Sequence, residues 1–131
     1  MELSDTLDQR LYQMVNAGAS VSPTAGEGAT ASVNGNDAIG QVNIETGTKP
    51  AAGSLAHITF SAPYATQPFV QVTPLDQPPP PDWYVQIDTE GFTIAVGTAP
   101  APDTNYPFSY FVAVRPWLMY LNPPASPVNS Q

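Results

Sequence analysis

From about residue 36 the chain alternates apolar and polar residues with a period of two. Val42 and Ile44 flank Asn43; Ala56, Ile58 and Phe60 alternate with His57 and Thr59; Val70 and Val72 flank Gln71. Farther on, Trp83, Val85 and Ile87 share one parity, then Phe92, Ile94 and Val96, then Phe108, Tyr110, Val112 and Val114. Successive side chains of a strand point to opposite faces, so each run predicts a short strand with one buried face. Turn-forming stretches separate the runs: TGTKPAAG, SAPYATQP, DQPPPPD, DTEG and GTAPAPDTN. None leaves room for a crossover helix. The expected fold is therefore all-β, an antiparallel sandwich of jelly-roll or immunoglobulin-like type.

The period is different at the start. Leu3, Leu7, Leu11, Met14 and Val15 fall on one face of a helix predicted over residues 3–17. Ser4 is placed to cap it, Asp5 and Asp8 sit near the positive end of its dipole, and Gly18 stands where helices often stop. A helix of about four turns needs packing to persist in water, so this face is expected to anchor on a partner. The four-then-three spacing of Leu7, Leu11 and Met14 also suits a short coiled-coil seam. Residues 18–35, beginning GASVSPTAGEGATAS, are small, polar and glycine-rich, and read as a flexible linker.

The other end carries RPWLMYLNPP. Read as a strand, Trp117, Met119 and Leu121 face one way and Leu118 and Tyr120 the other. Both faces are apolar, which predicts burial on two sides, as for a strand held between subunits. The following NPPASPVNSQ is an extended tail that cannot continue strand pairing. Four segments result: an anchoring helix over 1–17, a linker over 18–35, a β-sandwich over 36–114, and an apolar arm with a proline-rich tail over 115–131.

Composition narrows the function. Only 11% of the 131 residues are charged, about half the usual share, so Ser, Thr, Asn, Gln and Ala must make most of the surface. The net charge of -8 repels phosphate backbones, which argues against nucleic acid as a partner. Without cysteine there are no disulfides, thiolate nucleophiles or cysteine zinc sites. The opening MELSDTLDQR has no long apolar run and no stretch approaches a membrane span, so neither a secretory signal nor a membrane partner is expected.

The run TGTKPAAGSLAHITFSAPYATQPFVQVTP, then WYVQIDTEGFTIAV and YPFSYFVAV, resembles a small β-sandwich module that recurs in structural proteins of tailed bacteriophages, among head-decoration and fibre proteins. The likeness spans roughly residues 35 to 114 and is carried by T-G-x-x-P-x-x-G-x-L-A, F-x-x-P-Y and G-F-T. These are turn and core positions. What the resemblance implies is an architecture and a virion setting. The N-terminal helix and the WLMYL arm lie outside it.

Chemistry-bearing residues are few. His57, the one histidine, alternates with inward residues and reads as a polar strand position; Ser54 and Ser61 lack a nucleophile elbow. Asn34 to Asp37, NGND, offers oxygens but not the spacing of a calcium loop, and reads as a turn. Asp88 and Glu90 bracket a mobile turn, where burial cannot split their pKa values into acid and base. The tetraproline Pro78 to Pro81 reads as a stiff connection between strands. No enzymatic activity, cofactor or metal is expected.

Together these features lead us to expect a structural protein on the exterior of a phage capsid: a homotrimeric decoration (cement) or head-fibre protein. Its helix would attach it to the major capsid protein or another virion protein. The alternative is a tail-fibre or receptor-binding subunit whose Tyr64, Tyr84 and Tyr106 gather at one end to contact a host glycan.

Overall fold

The computed structural model describes residues 16–113. Eight strands run through them: β1 (Gly18–Val21), β2 (Thr30–Gly35), β3 (Ile39–Glu45), β4 (Gly53–Thr59), β5 (Phe69–Pro74), β6 (Trp83–Ile87), β7 (Gly91–Val96) and β8 (Asn105–Ala113), with a single 3-10 turn at Pro23–Ala25. They form two four-stranded sheets in the orders β1-β4-β7-β6 and β2-β3-β8-β5, every pairing antiparallel.

The period-two pattern explains the layers. Val42 and Ile44 of β3, and Tyr106, Phe108, Tyr110 and Val112 of β8, are buried, while their out-of-phase neighbours face outward. From the other sheet, Ala56 and Ile58 of β4 and Phe92, Ile94 and Val96 of β7 join the same core. A register shift between Ser54 and Ala56 adds a residue to β4. Leu55 and Ala56 are consequently both buried, which strict alternation does not allow. Ring contacts stitch the layers together: Trp83 lies 5.6 Å from Phe108 and Phe92 5.2 Å from Tyr110, centroid to centroid.

The expected linker over 18–35 is corrected by this arrangement. Gly18–Val21 pairs with β4 from Gly18↔Thr59 to Val21↔Ala56, and Thr30–Gly35 pairs with β3 along its whole length. Ala25 between them is fully buried. Small side chains give the segment little hydrophobic contrast, yet Ala31 and Val33 keep the inward parity and the backbone hydrogen bonds do the rest. The sandwich thus begins near residue 18 and not at 36. Gly47 belongs to this closure, because a Cβ there would overlap the Glu27 carbonyl oxygen as Glu27 bridges to Thr48.

Of the expected helix over 3–17 only Asn16 and Ala17 are described. Neither is helical, and the buried Ala17 donates its N–H to the Gly35 carbonyl at 3.1 Å. Leu3, Leu7, Leu11, Met14 and Val15 lie outside the described residues, as do Trp117, Leu118, Met119, Tyr120 and Leu121.

Strand directions give the sandwich two poles. The β2–β3 turn, the β4–β5 loop and the β6–β7 turn lie at one pole; the β1–β2, β3–β4, β5–β6 and β7–β8 connections lie at the other. Ala17 hydrogen-bonds to Gly35, and Val112 donates its N–H to the Ala38 carbonyl at 2.8 Å. Both ends of the described chain are therefore fastened to the same β2–β3 turn. We call this the terminal pole.

Candidate interaction surface

Register resolves the outer faces into rows of side chains. On the β1-β4-β7-β6 sheet the central row is Ser20, His57, Thr93 and Gln86, all polar. On the β2-β3-β8-β5 sheet three rows are also predominantly polar: Thr30, Glu45 and Asn105; Ser32, Asn43 and Pro107; Asn34, Gln41, Ser109 and Thr73. The rows nearest the terminal pole break the pattern. Ile39 lies opposite Phe111, which lies opposite Gln71, and Phe69 lies opposite Ala113.

These outward side chains are large and exposed: Ile39 at 59%, Phe69 at 51% and Phe111 at 56%. Beside them an open cleft of about 820 Å³ is bounded by Phe69, Phe111 and Ala113 on the face and by Val70 and Ile87 at the sheet edges. Apolar residues concentrated at one end of an otherwise polar face mark an interaction site better than isolated exposed residues do. Each aromatic ring leaves on the order of 100 Å² in water, so covering it yields about 2 kcal/mol before ordering costs.

The terminal pole is also rigidly built. Asn36 Oδ1 accepts from the N–H groups of Ala38 and Ile39 at 2.8 and 2.9 Å, so NGND is an Asx-type turn. The Asp37 carboxylate accepts from Ser61 N–H at 2.7 Å, Ser61 Oγ at 2.7 Å and Ala62 N–H at 3.3 Å. Two tyrosine hydroxyls donate to the same turn, Tyr64 to the Asp37 carbonyl and Tyr110 to the Asn36 carbonyl, each at 2.6 Å. Burial, and then the nearby Asp37 charge, push both phenols above their ordinary value; for Tyr110 the result is about 12, with Tyr64 a further cause. Ile39 thus projects from a turn tied to two other segments.

The three tyrosines of the glycan alternative do not come together. Tyr106 is buried near the opposite pole with its hydroxyl accepting from Ala101 N–H. Tyr64 packs edge-on against Phe60 at the terminal pole, and Tyr84 lies exposed at the far end of β6. His57 Nδ1 meets Thr93 Oγ1 at 2.8 Å, while Ser54 and Ser61 bond Ser22 and Asp37, so no serine–histidine pair forms. Asp88 Oδ1 caps its own turn through Glu90 and Gly91 N–H groups. Pro80 of the tetraproline is buried, as a packed connection requires. Among the described residues no three His, Asp or Glu side chains gather as a metal site, and no helix is long and apolar enough to cross a membrane.

Ile39, Phe69 and Phe111 lie out of phase with the inward positions of β3, β5 and β8. The available signal was large apolar residues standing out of phase in three strands that become neighbours. No protein-family model, curated protein or solved structure matches the chain.

Proposed function

We propose that this protein is a structural subunit of a tailed-phage particle: a homotrimeric β-sandwich that decorates the outer capsid surface and stabilises the head. The observation that carries the reading is the apolar end of the β2-β3-β8-β5 face, with Ile39 and Phe111 exposed, at the pole where both ends of the described chain lie. An assembly component needs little else. Its work is to make separation of its neighbours cost the burial of every attached copy. The resemblance of residues 35 to 114 to phage decoration and fibre modules supports the setting. The apolar stripe Leu3, Leu7, Leu11, Met14 and Val15 is the anchor to the major capsid protein or another virion protein, and Trp117 to Leu121 form the contact between copies.

Two measurements test this. Light scattering on the purified full chain should return three times the mass of one chain, and a monomer at tens of micromolar would sink the trimer. Electron microscopy of intact particles should show the protein at symmetric positions over the head. Density confined to the tail would transfer the assignment to a fibre subunit.

A further inference from the structure

We infer that the outer edge of β6 is a docking strip for an extended segment of a partner protein, apolar at alternate positions and carrying Lys or Arg at both ends. The inference adds a surface to the assembly reading and does not rest on it. It starts from the phase of the backbone bonds. Gly97 donates its N–H to the Asp82 carbonyl at 2.9 Å, and Asp88 donates its own to the Gly91 carbonyl at 3.0 Å. Both bonds run to the β7 side. Backbone groups alternate in direction along a strand, so Asp82, Tyr84, Gln86 and Asp88 face β7 while Trp83, Val85 and Ile87 present N–H and C=O outward. β6 is the last strand of its sheet, and among the described residues nothing bonds to those outward groups.

Such an edge is a template for another strand unless it is blunted. The other three edges are. β1 is four residues long, and one end of the β2 edge is held by Ala17, bonded to the Gly35 carbonyl. Beyond β5 the Leu75 N–H reaches the Pro107 carbonyl of β8, so Pro74, with no N–H to offer, falls on the outward phase. β6 holds no proline, lysine or bulge. Its inward side chains, Trp83, Val85 and Ile87, are only half-buried, and a strand laid alongside covers them with its own alternate apolar residues.

Charge selects the occupant. Asp82 and Asp88 stand at the two ends of the strip, both exposed and about 20 Å apart along the strand. Asp82 accepts from the Thr98 hydroxyl and Asp88 from the Glu90 and Gly91 N–H groups, so no cation neutralises either among the described residues. Lys49, the one basic side chain among the described residues, lies in the β3–β4 connection. A second copy pairing antiparallel about Val85 would set an Asp82 carboxylate against an Asp88 carboxylate at each end, like charge on like. A segment with a cation at each end, six positions apart, meets both carboxylates instead.

The probe is a blocked heptapeptide, Lys-Val-Thr-Val-Thr-Val-Lys, whose valines lie opposite Trp83, Val85 and Ile87 in antiparallel register. Amide exchange of the full chain, followed residue by residue by NMR, is the measurement. Alone, the Trp83, Val85 and Ile87 amides should exchange fast and those of Tyr84 and Gln86, paired with Ala95 and Thr93, slowly. Peptide at saturation should slow the first set about tenfold or more. A Glu-ended peptide with the same core should bind about tenfold more weakly at low salt, the gap closing towards about 1 M salt. In Asp82→Asn/Asp88→Asn that gap should shrink severalfold, since asparagine keeps an acceptor in each turn and loses the charge. Val85→Pro deletes the central outward donor and no bond to β7, and should abolish binding.

No slowing at about 5 mM peptide overturns the inference. So does slowing that appears at Val70 and Val72 of β5 instead, and equal binding of the Lys-ended and Glu-ended peptides overturns the choice of partner. Protection of Trp83, Val85 and Ile87 before peptide is added also overturns it: protection lost on dilution makes the occupant a second copy, and protection independent of concentration makes it another part of the same chain.

Discussion

Tyr110 and Gly40 lie directly opposite each other on β8 and β3, and the Tyr110 hydroxyl passes over Gly40 to reach the Asn36 carbonyl 2.6 Å away. A Cβ at residue 40 would sit 2.5 Å from that hydroxyl oxygen and 2.7 Å from the ring carbon bearing it. Gly40→Ala should therefore displace the ring and cost about 1–3 kcal/mol, read as a fall in the urea midpoint without change of slope. A substitution within about 0.5 kcal/mol of the parent would show that the ring moves freely.

The same hydroxyl predicts an alkaline weakness. Its pKa in the folded protein, about 12, stands above the ordinary 10.0. The folded state therefore keeps a proton that the unfolded chain surrenders. Stability from this group is complete below about pH 10 and drains away as pH climbs through about 12. Urea unfolding at stepped pH should show this decline. Tyr110→Phe should be less stable near neutrality, since it abandons the Asn36 carbonyl, yet follow a flatter alkaline limb.

Thr46 is the buried polar residue of the opposite pole. Its hydroxyl donates to the Ala101 carbonyl at 2.7 Å and accepts from Thr104 N–H at 2.9 Å, fastening the β7–β8 loop to the end of β3. Thr46→Val keeps the shape and removes both bonds. The expected loss is about 2 kcal/mol, with a melting temperature lower by roughly 10 °C. Thr46→Ser should recover most of it in calorimetry.

Phe111 and Ile39 face outward, so replacing them separates the proposed assembly from folding. Phe111→Ser and Ile39→Ser should each leave the unfolding free energy of an isolated chain within about 1 kcal/mol, because they remove no core contact. Each should raise the dissociation constant of the assembly by about tenfold or more, measured by sedimentation over a dilution series. Loss of folding without loss of association would reverse the roles given to the two faces.

Asp37 is the hub of the terminal pole, joining the β2–β3 turn to Ser61 and Ala62. Asp37→Ala should release residues 60–68 first. Amide exchange there should quicken by roughly tenfold while β3 and β8 keep their protection. Uniform acceleration across the sandwich would mean that the hub carries global stability.

The legible part of the fold was the part with bulk. Val42, Ile44, Phe92, Ile94, Phe108 and Tyr110 announce their strands by size and parity, and all are buried as that parity requires. β1 and β2 carry no such signal, because Ala19, Ala31 and Ser32 offer too little contrast to reveal a period; their pairing with β4 and β3 depends on partners distant in sequence. Leu55 is buried out of phase with Ala56 and Ile58 because of a register shift that no local signal announces. The outward apolar patch could not be read, since Ile39, Phe69 and Phe111 come from three strands and become one surface only when β3, β8 and β5 lie side by side.

With both ends of the described chain tied to the β2–β3 turn, the rim holding Leu75, Asp76 and Gln77 points the opposite way, and all three of its residues are exposed. A foreign peptide spliced between Asp76 and Gln77 would project outward from whatever surface grips those ends. Epitope grafts and fluorescent tags belong on that rim, where they burden neither attachment nor the layered interior.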